Sequence, residues 1–292
     1  MRTRIAVLLL VLALAAAGAA AQKRGAGAPT SPNHADMYCS GAVTNEAISN
    51  DTYIISGEES HQQITFSAHH ELVYVNKGSS HGVKAGDEFL VMRPIRDSMK
   101  YVWFAYQTNL RRAMGTQWTD AGRVRVVAVQ PEVSIAQVVF SCGPIFRGDV
   151  ALRASERPAP KFKETPFDEF AAVNGKPLAM LVASKNYESA LVGQNDVVYV
   201  NLGSSQGVKA GDYFRIFRYQ GQRHEAAYQV RGHHRAMFGF GATPRGTIWT
   251  WDNLPREILG EGIVLRVSEN ASTVMITFSK REMYLGDYVE VQ

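Results

Sequence analysis

Large apolar residues recur at every second position in several short stretches of the chain. Residues 89–93 (Phe-Leu-Val-Met-Arg) and 214–218 (Phe-Arg-Ile-Phe-Arg) both have them at the first and third positions, whereas the second and fourth positions differ between the two stretches. Successive side chains of a strand point to opposite faces, so a period of two predicts a β-strand with one face against a core. The variable second face is typical of a half-buried strand.

The pattern occurs twice because part of the chain is repeated. Residues 73–87 (VYVNKGSSHGVKAGD) recur as residues 198–212 (VYVNLGSSQGVKAGD), with 13 of 15 positions identical. Residues 126–149 match residues 264–287 in turn, at an offset of 138 instead of 125. These matches predict a tandem duplication of one module, with 13 residues inserted in the middle of the second copy.

Short strands and many glycine turns, without sustained helical periodicity, predict an all-β protein. Each copy carries a long excursion in its middle, at residues 94–120 and 219–259, and the first of these could include a helical turn or two. We therefore expect two tandem small antiparallel β-barrel or sandwich modules from an internal duplication.

The first 21 residues have the composition of a secretory signal peptide. Arg2 and Arg4 precede an apolar run from Ile5 to Ala15, and Ala19-Ala20-Ala21 offers a cleavage site. The run is shorter than the roughly 20 residues that a bilayer span needs. We expect an exported protein located in the periplasm, with secretion or anchoring by an uncleaved signal as the alternatives.

Composition divides the rest of the chain into four parts. Residues 22–36 are rich in Gly, Ala, Pro and Ser, which predicts a flexible leader. Module 1 spans residues 37–153 and module 2 spans residues 178–292. Between them, residues 154–177 carry four prolines and several charges, which is typical of a linker.

Charge excludes one class of function. The formal net charge is +4, and it falls to +2 when the signal peptide, with two arginines and no acid, is removed. A chain this close to neutral, with acids and bases interspersed, lacks the footprint of a nucleic-acid-binding protein.

Two cysteines in an exported protein favour a disulfide between Cys39 and Cys142. The second module has Lys280 at the position equivalent to Cys142, so this cysteine lies outside the repeated pattern. Two free thiols or an intermolecular bridge are the alternatives.

Four Gly-Asp pairs precede strands at equivalent positions of the two copies. Glycine adopts the positive φ that tight turns need, and aspartate accepts nearby backbone N–H groups. A structural role therefore explains these carboxylates better than catalysis. The predicted turn residues are Gly82, Gly86, Asp87, Gly148, Asp149, Gly207, Gly211, Asp212, Gly286 and Asp287.

Other signals of chemistry are weak. Residues 78–84 superficially resemble a phosphate loop but lack the Gly-Lys-Ser/Thr ending and precede a strand. The histidine pairs at 69–70 and 233–234 are not equivalent, and no spacing completes a metal set. The string Gly-x-Ser-x-Gly occurs in both copies, at residues 78–82 and 203–207, but a strand follows it there instead of the helix of a nucleophile elbow. We expect no metal, no cofactor and no enzyme activity.

Aromatic residues in the two excursions are the strongest candidates for binding. Alternate strand residues share a face, so such rings could form a platform for a glycan or a protein. Alternatively, the rings cap the open ends of the barrels. The candidates are Trp103, Phe104, Tyr106, Trp118, Trp249 and Trp251.

The string Gly-Val-Lys-x-Gly-Asp-x-Phe within residues 82–93, with Ser134-Ile-Ala136 and Gly148-Asp149, resembles the C-terminal domain of flagellar assembly protein T. The likeness covers both copies, roughly residues 50–153 and 178–292. Long aromatic excursions replace the short Pro-x-Thr-Gly segment usual in that family. The resemblance implies a bacterial periplasmic β-domain that acts through protein or cell-wall contacts, with no catalytic residues to transfer.

These observations predict a non-catalytic structural or interaction protein of the bacterial cell envelope, with an envelope protein or a cell-wall glycan as its partner. The first alternative is a glycan- or peptidoglycan-binding protein that uses the aromatic excursions. A hydrolase with a site at the module interface is the weaker alternative.

Overall fold

The computed structural model describes residues 28–58, 70–96, 100–163, 165–220 and 255–292. Two antiparallel β-sheets contain most of the described strands, and one of them closes into a six-stranded barrel. The predicted all-β class is therefore confirmed.

The first sheet follows a short N-terminal helix, α1 (His34–Tyr38). Its strands lie in the order β2-β3-β6-β5-β4-β7, and β1 pairs with β5. A second helix, α2 (Gln107–Met114), lies between β4 and β5 in the chain. The strands are β1 (Ala42–Thr44), β2 (Ile54–Gly57), β3 (Leu72–Val75), β4 (Glu88–Pro94), β5 (Thr116–Val129), β6 (Ser134–Ser141) and β7 (Val150–Arg153).

The second sheet is a closed barrel in the order β10-β13-β12-β11-β15-β8, and β9 pairs with β14 beside it. One 3-10 turn precedes each of β4 and β11, at Ser79–His81 and at Ser204–Gln206 respectively. The strands are β8 (Leu178–Ser184), β9 (Leu191–Val192), β10 (Val197–Val200), β11 (Tyr213–Arg218), β12 (Glu257–Val267), β13 (Ser272–Ser279), β14 (Met283–Tyr284) and β15 (Tyr288–Val291).

The two sheets share one strand order. Strands β8, β10, β13, β12, β11 and β15 occupy the places of β2, β3, β6, β5, β4 and β7. The edges of the first sheet also meet, because the Ile54 N–H donates to the Asp149 carbonyl and the Ala151 N–H to the Thr52 carbonyl, both at 2.9 Å. We therefore call the two units the first and second barrels. The duplication itself stays a prediction from the sequence.

The positions with a period of two line the barrel interiors. Phe89 and Val91 lie in the core of the first barrel, and Phe214 and Ile216 lie in that of the second. Leu90, on the outer face of β4, is also buried because it packs against α1 and the outer surface of the second barrel. Strand β4 is thus covered on both faces, whereas its pattern predicts one exposed face.

The described part of the predicted leader, from residue 28 onward, lies against the second barrel. The Thr30 N–H donates to the Thr277 carbonyl at 2.9 Å, which fixes the segment to β13. Asn33 begins α1 with a capping box, in which its side chain and that of Asp36 accept each other's backbone N–H groups. A hydrogen bond to a strand far along the chain cannot be inferred from the local amino-acid composition. The composition of residues 22–36 therefore does not predict this contact. The signal peptide and residues 22–27 lie outside the described residues.

Candidate functional site

The two barrels meet around residues 28–41, and from here on the name leader refers to this whole segment, which includes α1 and the three residues after it. Met37 and Tyr38 of α1 are buried between the outer faces of β4, β11, β12 and β13. The hydroxyl oxygen of Tyr38 accepts the Arg157 N–H at 2.9 Å, and the Arg123 guanidinium lies 4.2 Å above the ring. A disulfide joins Cys39, which directly follows α1, to Cys142 after β6. The leader is thus bonded covalently to the first barrel and packed against the second.

One buried carboxylate links the parts that meet at this interface. Asp120 of β5 is only 5% exposed. Its Oδ2 accepts the Gly41 N–H of the leader at 2.8 Å and lies 3.5 Å from Nη1 of Arg157 in the linker. Its Oδ1 lies 3.6 Å from Nη1 of Arg266 in β12. Burial lowers the pKa of Arg266, and the nearby Arg157 lowers it further. The cluster joins leader, linker and both barrels through one charge.

Close backbone packing fixes the leader at Gly41. Its φ of +66° is unfavourable for other residues. A Cβ atom there would lie 2.5 Å from the Tyr199 hydroxyl oxygen and 2.6 Å from the Trp118 carbonyl oxygen. The Tyr199 hydroxyl donates to the Ser40 carbonyl at 3.0 Å, and burial raises the pKa of this tyrosine. Only glycine fits between the two barrels at this point.

The aromatic excursion of the first module covers the second barrel. Phe104 is 2% exposed and belongs to the core of the second barrel, with Trp103 and Leu110 packed beside it. The Gln107 side chain, at the start of α2, donates from Nε2 to the Val182 carbonyl of β8 at 2.7 Å. The hypothesis that aromatic rings cap a barrel therefore describes Phe104 well, except that the capped barrel is that of the other module.

The other aromatic candidates lie in different surroundings. Trp118 is buried in β5 against Met92 and Val150, so neither it nor Phe104 offers a face to a ligand. Their assignment to a binding platform is therefore wrong, because both rings are used in packing. Tyr106 is 75% exposed at the N-terminus of α2. Trp249 and Trp251 lie outside the described residues.

The four Gly-Asp pairs form closely similar turns. Each aspartate accepts the backbone N–H of the residue three positions earlier, with N···O distances of 2.7 to 3.0 Å in the set Asp87, Asp149, Asp212 and Asp287. The six predicted glycines all have positive φ: Gly82, Gly86, Gly148, Gly207, Gly211 and Gly286. These carboxylates hold strand entrances, which is the structural role that the sequence predicts for them.

Two of these aspartates also form buried ion pairs that the sequence analysis missed. Arg93 at the end of β4 places Nη2 3.1 Å from Oδ2 of Asp149, and Arg218 at the end of β11 places Nη2 2.7 Å from Oδ2 of Asp287. Each guanidinium also lies over an aromatic ring three residues before its aspartate, at 4.0 Å in the first barrel and 5.3 Å in the second. The sequence contains a signal for these ion pairs, because both arginines occupy the same position at the end of the repeated strand segment.

Burial dominates the electrostatics of these pairs. It raises the pKa of Asp149 to about 6, against the opposing effects of the Phe146 N–H and Arg93. It also raises the pKa of Asp287, although Arg218 lowers it. Burial lowers the pKa of Arg93, and Asp149 raises it. Desolvation at a strand junction is thus the largest cause of both shifts, and Glu257 adds the smallest of the effects that act on Asp287.

A cleft of about 630 Å³ lies between α1 and the β8–β10 segment of the second barrel. Its two carboxylates are already engaged, since Asp36 accepts the Asn33 N–H and Asp196 accepts the Gly193 N–H, both at 2.8 Å. The lining also includes Lys185, and the rest is a mixture of amide, hydroxyl and apolar side chains with Cys39. Both carboxylates of this cleft thus hold the backbone of the turns that carry them.

Within the described ranges, no three His, Cys, Asp or Glu side chains come together as a metal site. No helix of the described chain is long and apolar enough to cross a bilayer. No family model matches the sequence, and no curated protein matches it.

Proposed function

We propose that this protein is an exported, non-catalytic structural or interaction component of the bacterial cell envelope. The observation that carries the proposal is the insertion of Phe104, from the first module, into the core of the second barrel. With the leader buried between the barrels and bonded through Cys39–Cys142, the two barrels form one body. A rigid body of this kind presents its loops in fixed relative positions, which suits a scaffold.

Export and the envelope location rest on the sequence. The N-terminal segment has the composition of a signal peptide, and a disulfide is stable in an oxidising compartment. The resemblance of the repeated turns to a flagellar assembly protein T domain supports a partner within the envelope.

A photo-crosslinking experiment in cells tests this proposal. A photoreactive residue replaces the exposed Tyr106, and a matched variant carries it at Tyr53 on the first barrel. We expect one position to give a discrete crosslinked species containing one envelope protein. Turnover of a cell-wall substrate by the purified protein, abolished by a single Asp or His substitution, would contradict the proposal.

Binding of a cell-wall glycan is the second candidate, and a partly exposed group of aromatic rings favours it. The rings of Tyr101 and Trp103 stack at 5.9 Å with an angle of 13° between their planes, and Tyr106 is exposed nearby. Muropeptides should then raise the melting temperature of the protein but not that of a Tyr101→Ala, Tyr106→Ala variant. An equal shift in both proteins would exclude these rings as the site. The platform predicted at Trp249 and Trp251 stays a prediction.

A further inference from the structure

A smaller cleft lies where the two barrels meet, and it shares Lys185 with the cleft beside α1. It has a volume of about 320 Å³. The first barrel contributes residues 93–96, at and after the end of β4, together with Thr119 of β5. The second barrel contributes Lys185 and Tyr187, which follow β8. We call this feature the inter-barrel cleft.

A buried amide side chain holds the two walls of the inter-barrel cleft together. Gln117 of β5 is buried, and its Nε2 donates to the Ser184 carbonyl at 3.1 Å. The backbone carbonyl of Gln117 accepts the Ile95 N–H at 2.8 Å. Ile95 and the residue before Lys185 are therefore both bonded to Gln117. The cleft is consequently a product of barrel docking, and its width is set by buried hydrogen bonds.

The charged side chains that line the cleft are all cationic: Arg93, Arg96 and Lys185. Arg93 is neutralised, because it pairs with the buried Asp149, donates to the Pro144 carbonyl and lies over the Phe146 ring. The side chains of Arg96 and Lys185 are exposed, and neither has a hydrogen bond or ion pair with another described residue. Two positive charges, one from each barrel, thus line the same small volume, and the described lining of this cleft includes no acidic side chain.

We propose that the inter-barrel cleft binds an oxyanion, either a carboxylate or a phosphate group, between Arg96 and Lys185. A guanidinium binds two oxygens of such a group through its planar fork, and an ammonium adds a compact point charge. Tyr187, Ile95 and Pro94 supply apolar contacts for the body of the ligand. The volume lies at the lower end of the range for small-molecule sites. This inference does not depend on the proposed envelope role.

Calorimetric titration of the full chain with its disulfide intact tests the proposal. The probes are inorganic phosphate and succinate, each titrated at about 20 mM and at about 200 mM salt, because exposed charges are screened over this range. We expect one site per chain and weaker binding at the higher salt. Arg96→Gln and Lys185→Gln should each weaken binding about tenfold, the effect of losing one charge-assisted hydrogen bond. The probe that binds more tightly identifies the preferred oxyanion.

Lys209→Gln is the matched control, since Lys209 is an exposed lysine in a turn of the second barrel and outside the cleft. It should leave both affinities unchanged, and unchanged melting temperatures of all three variants would show that folding is unaffected. Equal losses in Lys209→Gln would indicate nonspecific attraction and overturn the proposal. Absence of binding by both probes, or binding that Arg96→Gln and Lys185→Gln leave intact, would overturn it as well.

Discussion

At the scale of single residues, Phe104 belongs to the first module by sequence and to the second barrel by packing. Its ring contacts the backbone of the turn before β15 so closely that a Cβ atom at Gly286 would lie 3.1 Å from its Cγ. Such a contact depends on the shape of a neighbouring unit, which the local sequence does not describe. The role of this ring therefore follows from the structure alone.

Phe104→Ala should lower the free energy of unfolding by about 3–5 kcal/mol, because it removes a buried ring and leaves a cavity. Urea denaturation followed by tryptophan fluorescence measures the loss. Tyr106→Ala is the control and should change stability by no more than about 0.5 kcal/mol, since this ring is exposed. Equal effects of the two substitutions would contradict the assignment of Phe104 to the core.

The raised pKa of Asp149 should make the stability of the protein depend on pH. Burial raises its pKa from 3.8 to about 6, so the folded state retains a proton that the unfolded state releases. Its stabilising contribution is therefore fully present below about pH 4 and is lost as the pH rises through about 6. Asp149→Asn should unfold with a weaker dependence on pH over this interval, as measured by urea midpoints. An unchanged pH profile in this variant would assign the dependence to other groups.

Residue patterns predicted the Gly-Asp turns but not their arginine partners. The turn lies within four consecutive residues, so glycine and aspartate encode it locally. The partner of Asp149 is Arg93, which reaches it only after β4 and β7 have paired. The aromatic candidates failed for a related reason, because Trp118 and Phe104 are used by strands and cores that form at long range.

At the scale of secondary-structure elements, the same turn precedes the corresponding strands of the two barrels. The turn before β4 places the Asp87 carboxylate against the Lys84 N–H at 3.0 Å, and the turn before β11 does the same with Asp212 and Lys209 at 2.8 Å. The period-two pattern then continues directly into each strand. Local turn chemistry and strand periodicity agree in both copies, which is why the all-β fold was predictable from the sequence.

Asp87→Ala should cost on the order of 1 kcal/mol of stability, through loss of the hydrogen bond that closes this turn. The Asp87 carboxylate also lies 3.1 Å from Arg153, an exposed pair that adds little. The melting temperature measures the effect, with Lys84→Ala as a control that keeps the Lys84 backbone N–H. If Asp87→Ala melts at the temperature of the unmodified protein, the carboxylate does not stabilise the turn.

At the scale of the whole molecule, the leader and the linker make one folding unit of two barrels. Tyr38 is buried between the two barrels. The backbone N–H of Lys163, in the linker, donates to the Tyr213 hydroxyl at 3.0 Å. The sequence predicted the two modules and a linker, but not their docking. Docking depends on outer faces such as that of Leu90, whose partners belong to the other barrel.

We expect the protein to unfold in one cooperative transition when its disulfide is intact. Tyr38→Ala removes a ring that packs against Arg123 and accepts the Arg157 N–H, so it should separate the barrels into two transitions. Differential scanning calorimetry distinguishes the two outcomes. Tyr53→Ala, at an exposed ring of the first barrel, should preserve the single transition. Two transitions in the unmodified protein would show that the barrels unfold independently.

The position of the leader has a consequence for the order of folding. Its contacts with the second barrel join residues 159 to 247 positions apart, from Tyr199 with Ser40 to Thr277 with Thr30. Pairings across such separations form slowly, because a long loop must close before any contact is gained. The disulfide between Cys39 and Cys142 requires only the first barrel, so it can tether the leader in advance. Residues near the N-terminus are therefore among the last to reach their final positions, after the second barrel has closed.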